Sequence, residues 1–151
     1  FDVPWKVTGS IQIHDMTPFL ARPDMVERIE DRIRKSLKGL KVVCYYGCQI
    51  LRPVPAMEVD VEVPMSMDDL FAALGAETVE YPPKTRCCGG MLMVTAEDVA
   101  HRLCEELIGW ARERGANCIV TVCPLCQGNL DLLGRRRAAD YGGRACPPDD
   151  G

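Results

Sequence analysis

Positive charge is not in excess in this chain: 18 Lys and Arg face 22 Asp and Glu, a net charge of −4. That balance gives no electrostatic case for nucleic acid or an anionic membrane surface as partner. No apolar run approaches the ~18 residues of a spanning helix, so no transmembrane segment is expected. The opening "FDVPWKVTGS" lacks the basic and apolar regions of a secretory signal. A start at Phe1 instead of Met leads to the expectation of a fragment or a processed product. No internal repeat is present. What remains is a chain of 151 residues, long enough for one domain with its own core. Apolar content is 47% and charged content 26%, which places it among ordinary globular proteins.

Cysteine is abundant. The nine are Cys44, Cys48, Cys87, Cys88, Cys104, Cys118, Cys123, Cys126 and Cys146. The number is odd and the expected location is cytoplasmic, so metal binding or catalysis is a better expectation than a disulfide framework.

Three regions are expected. Residues 1–40 form a lead-in, where Met25, Ile29, Ile33 and Leu37 make one stripe of an amphipathic helix capped by Asp24 and ended by Gly39. Residues 41–133 alternate between strand and helix. "KVVCYYG" (41–47), "TVEY" (78–81) and "NCIVTV" (117–122) read as strands. "MDDLFAALG" (67–75), "TAEDVAHRLCEELIGWARERG" (95–115) and the segment from Cys123 to Leu133 read as helices. Capping boxes are expected at Ser66…Asp69 and Thr95…Asp98, and Val99, Leu103 and Leu107 are the expected inward stripe of the long helix. This order predicts an α/β domain, a mostly parallel sheet flanked by helices. The proline-punctuated stretch 52–66 is expected to be irregular, and the tail 134–151, rich in Arg, Ala, Gly and Pro, to be disordered.

On that scaffold Cys48 follows the first strand, Cys87 and Cys88 the second, and Cys123 the third, with Cys126 in the next helical turn. Parallel strands place their carboxyl ends along one edge, so these five sulfurs are expected to converge there. A helix N-terminus favours thiolate at Cys123 and Cys126, and Pro124 suits the first helical position. Gly89-Gly90 is expected to let the backbone approach a bulky inorganic core. Adjacent Cys87 and Cys88 point in opposite directions, which suits a polynuclear centre better than a single ion.

Two other chemistries use part of the same pattern. A structural zinc takes four ligands, for which five cysteines compete. A thioredoxin-like dithiol explains "CPLC" but leaves Cys48, Cys87 and Cys88 unused. Cys44, Cys104 and Cys118 are expected in the core and Cys146 free in the tail. His14 and His101 are expected to be structural more often than catalytic. Arg52, Lys84 and Arg86 flank the cysteines, where they can offset charge, hold an anionic substrate or simply be surface cations.

The spacing carries a resemblance. Between Cys48 and Cys87 lie 38 residues, and between Cys88 and Cys123 lie 34. With "YYGCQILRP", "LGAETVEYPPKTRCCGG" and "GANCIVTVCPLCQGNLD", this resembles the CCG, or cysteine-rich, domain, and within it the second such domain of the heterodisulfide reductase B subunit. The resemblance runs from about Leu37 to Leu133, and "HDMTPFLA" is similar to the segment joining the two halves of that family's chain.

The resemblance implies a noncubane [4Fe-4S] cluster held by Cys48, Cys87, Cys88, Cys123 and Cys126, at which a disulfide is reductively cleaved. It implies a partner subunit with cubane iron–sulfur clusters as electron donor, a flavin subunit beyond it, and a small disulfide or a sulfur-carrier protein as substrate. The family carries two such motifs and this chain one, so a second CCG domain is expected from elsewhere. The family also continues past the last helix with a strand and helix that residues 134–151 do not resemble. CCG domains in membrane-associated dehydrogenases imply a second function, electron transfer towards quinone.

Overall fold

The computed structural model describes residues 8–52 and 60–140, with side chains described through residue 132. Three strands, β1 (Lys41–Tyr45), β2 (Glu77–Thr78) and β3 (Cys118–Thr121), form one parallel sheet in the order β2-β1-β3. Lys41 pairs with Glu77, and Val42 to Tyr45 run alongside Cys118 to Thr121. This is the α/β architecture with a parallel sheet that the sequence predicts.

Strand β1 is central because its side chains satisfy two cores at once. Val43 and Tyr45 point to one face, Val42 and Cys44 to the other. All four are at most 1% exposed. Burying each such apolar side chain contributes roughly 1.5–3 kcal/mol, which is why a run without polar alternation belongs in the middle of a covered sheet.

Helix α3 (Ser66–Ala73) covers the Val42/Cys44 face through Met67 and Phe71. Helices α4 (Glu97–Glu113) and α5 (Pro124–Asp140) are associated with the Val43/Tyr45 face. Two short helices, α1 (Met16–Leu20) and α2 (Pro23–Glu30), precede the sheet.

Several local expectations are corrected. Helix α2 ends at Glu30, not near Gly39, and none of its residues is buried, so its stripe lacks the packing that would extend it. Pro23 takes its first position, and Asp24 pairs with Arg22 instead of capping. Neither α3 nor α4 has a side-chain cap: Met65 and Ala96 hold the cap positions, and Ser66 is already inside its helix. The buried stripe of α4 is Ala100, Cys104, Leu107 and Ala111, so Val99 and Leu103 stand beside it. Three of those four are small, which lets the helix lie close to what it covers.

The expected boundary at Leu133 falls within α5, whose backbone continues to Asp140. Residues 141–151, with Cys146, lie outside the described residues, as do 1–7 and 53–59. Residues 60–65 have no regular structure, and Asp60 Oδ1 accepts from the amides of Glu62 and Val63.

Candidate metal centre

Each strand ends in a loop that delivers cysteine to the same edge. After β1 the chain turns at Gly47 into Cys48 and a short 3-10 turn, Gln49–Leu51. After β2 it passes through the 3-10 turn Pro82–Thr85 into Cys87 and Cys88. After β3, Cys123 leads into α5, with Pro124 at its first position and Cys126 in its first turn.

Hydrogen bonds lock the first two loops together. Lys84 O accepts from the amides of Tyr46 and Gly47, both at 2.9 Å. Arg86 O accepts from the Tyr45 hydroxyl at 2.7 Å. The loop before Cys87 is thereby fixed to the end of the central strand.

Cys88 Sγ lies 3.5 Å from Cys126 Sγ. Cys123 is near enough to Cys126 to raise its pKa, and Cys87 is near enough to Cys48 to raise its pKa. Cys88, Cys123 and Cys126 are buried, Cys48 is half-buried and Cys87 is exposed. The set is thus closed towards the sheet and open at Cys87. Exposed Leu125 stands beside Gly90.

Charge is not spread evenly over these thiols. The hydrogen bond with Cys126 holds Cys88 below the ordinary thiol range, and an amide of Gly90 helps. Cys126 is pushed up by the same hydrogen bond and by burial. Both directions have one origin, the contact between the two sulfurs at 3.5 Å. At Cys126 the sulfur contact and burial act against the thiolate that a helix N-terminus favours. Cys48 is raised, by burial first and by Cys87 second.

The glycines divide their work differently from the expectation. Gly89 has φ +73°, and a Cβ there would lie 2.9 Å from Ala100 Cα, so it is required by α4 and by its own backbone. Gly47 gives room to sulfur: with φ +70°, its added Cβ would sit 3.2 Å from Cys126 Sγ.

Cys104 is buried, as expected, and its thiol also donates to Cys88 O at 3.2 Å. Cys44 is fully buried and pushed up to about 12 by that burial. Cys118 is half-buried on β3. His101 pairs with Glu97 one turn away, and His14 stacks on Phe19. Arg86 pairs with Glu106. Arg52 lines a small recess with Gly47, Cys48 and Glu62.

Lys84 is the clearest departure from a surface cation. Its Nζ is buried and donates to Asp68 Oδ2 at 3.0 Å and to Pro64 O at 3.0 Å. The Tyr46 hydroxyl donates to the same carboxylate at 2.8 Å. Lys84 is thus committed to holding α3 against the cysteine loops. Sequence reasoning also passed over Tyr45, Asp68 and Asn129. Only the tyrosine had a signal, its place next to "YGC".

Five thiols from three loops are the donor chemistry of a soft, polynuclear metal group. Among the described residues no three or more His, Cys, Asp or Glu side chains are gathered around one point.

Residues 42–131 match the model of a family described as the cysteine-rich domain, CCG. The chain belongs to the CCG cysteine-rich domain family. Three curated relatives place that domain in oxidoreductases. The 8-methylmenaquinol:fumarate reductase membrane anchor subunit of Wolinella succinogenes is 36% identical over 71% of this chain and 38% of its own length. The B subunit of the ferredoxin/F(420)H(2)-dependent CoB-CoM heterodisulfide reductase of Methanosarcina acetivorans is 29% identical over 86% of this chain and 44% of its own. A protein of Archaeoglobus profundus described as similar to the heterodisulfide reductase B subunit is 33% identical over 70% and 37%. The chain therefore spans less than half the length of the relatives it matches. Among the described residues no helix is long and apolar enough to cross a membrane.

Proposed function

We propose that this CCG module is the cluster-binding part of an oxidoreductase similar to the heterodisulfide reductase B subunit, one that cleaves a disulfide reductively. The observation that carries it is the delivery of Cys48, Cys87, Cys88, Cys123 and Cys126 by the loops after three parallel strands, with Cys88 and Cys126 in contact and Cys87 open to solvent. These five cysteines are the proposed ligands of a noncubane [4Fe-4S] cluster. When bound, such a group supplies one-electron chemistry and iron at which sulfur can bind.

The chain's own residues do the rest. Buried Cys88, Cys123 and Cys126 anchor the inner side, and the lowered thiol pKa of Cys88 favours ligation there. Tyr45, pushed well above its ordinary range by burial and the neighbouring thiols, stays protonated and holds the Cys87 loop through Arg86 O. The exposed side at Cys87 is where a small disulfide or a sulfur-carrier protein would approach. Cytoplasmic location, an electron-donor subunit with cubane clusters, a flavin subunit and a second CCG domain are parts of the same proposal, supported by relatives that are subunits of named reductases.

One observation favours a second reading. The 36% identity to a membrane anchor subunit of a menaquinol:fumarate reductase fits an electron-transfer module that serves a quinone. Single-turnover oxidation of the reduced, cluster-loaded chain separates the two. Under the first reading a small disulfide reoxidises the chain, each disulfide taking one electron from each of two reduced clusters and two protons from solvent to release two thiols. Reoxidation by a quinone, with none by the disulfide, would favour the second.

A further inference from the structure

Asn129 lies three residues after Cys126 on α5, so the two share a helix face and point at the same site. It is 8% exposed. A buried amide is costly unless it is paired, and a leucine would suit that environment better on burial alone. The pairing is specific. Asn129 Nδ2 donates to Cys88 O at 3.3 Å and reaches Cys88 Sγ at 3.8 Å. The reverse amide orientation would set a carbonyl oxygen against a carbonyl oxygen and a sulfur, so the network fixes which end faces Cys88.

Cys88 is the member of the array on which such a donor has most effect. Its sulfur is buried beside Cys126, and its carbonyl is already gripped from α4 by the Cys104 thiol. A neutral N–H aimed at a ligating thiolate withdraws electron density from the sulfur and hence from the metal behind it. That stabilises the reduced state and raises the reduction potential.

We propose that Asn129 is a positioning residue for Cys88 that sets the reduction potential of the cluster held there. The inference rests on the iron–sulfur reading above. It explains why a polar side chain occupies a buried position on the inner face of α5, a position that ligand spacing alone leaves free.

The test uses the chain loaded with iron and sulfide without oxygen, as wild type, Asn129→Leu and Asn129→Asp. Iron per chain is measured first, then the midpoint potential by spectroscopic redox titration. The expected result is near-normal iron in the variants and a lower potential. For Asn129→Leu the reduced-to-oxidised ratio at fixed potential falls about tenfold, or about 59 mV for one electron. Asn129→Asp falls further, because a carboxylate cannot donate and adds negative charge. An unchanged midpoint with iron retained overturns the inference. So does loss of iron from both variants, which makes the amide a scaffold tie only. A wild type that takes up zinc and no iron fails earlier, and removes the cluster reading along with this one.

Discussion

At the residue scale, the five cysteines differ in burial and charge, and the account predicts unequal consequences of losing them. Cys123→Ser and Cys87→Ser are each expected to remove most bound iron, since hydroxyl is a poor ligand for soft metal. Cys104→Ser is expected to keep it, because the Cys104 thiol donates to a carbonyl instead of joining the array. Iron per chain after anaerobic purification checks all three, and full retention in both ligand variants would sink the assignment. These ligand candidates were legible in the sequence because sulfur is scarce in ordinary proteins and its spacing stands out. Asn129, Tyr45 and Asp68 were not. Their roles depend on which side chain faces which loop, and a single Asn or Tyr has no spacing to read.

At the scale of elements, the three loops hold their cysteines because the sheet and α3 hold the loops. The Lys84–Asp68 pair is the main fastener, with both side chains at most 10% exposed. Removing one member leaves the other charge buried. Lys84→Met is therefore expected to cost roughly 3–5 kcal/mol, and Lys84→Met with Asp68→Leu to recover much of that. Urea unfolding of the two variants is the check, and equal losses in both would contradict it. The strands β1 and β3 were legible from unbroken apolar runs, which only a covered sheet accommodates. Helix starts were not, because Thr95 and Ser66 satisfy a capping pattern that the chain does not use. The inward stripe of α4 was right at Leu107 and one residue off at Val99 and Leu103. Helical periodicity selects the bulky side chains, whereas the close approach of Gly89 to α4 needs a small residue at Ala100.

At the scale of the whole molecule, the fold buries thiols that must stay protonated. Cys44 is raised from 9.0 to about 12 and Cys104 from 9.0 to about 11, in both cases chiefly by burial. Below pH 9 both folded and unfolded chains keep these protons, and the stabilising contribution is complete. Above that the unfolded chain ionises first, so stability is lost progressively up to the folded values. Unfolding midpoints should fall between about pH 9 and about pH 12, and less steeply in Cys44→Ala. The same slope in that variant would contradict the assignment.

The chain covers less than half of its relatives, and the array is open at Cys87. Substrate and electron donor are therefore proposed to meet the molecule on that side. Everything in this account returns to what the five sulfurs hold. The most direct measurement is iron, acid-labile sulfide and zinc per chain, on protein purified without oxygen. The account predicts about four irons with a matching amount of sulfide. About one zinc with little iron, unchanged after attempted reconstitution with iron and sulfide, would contradict it.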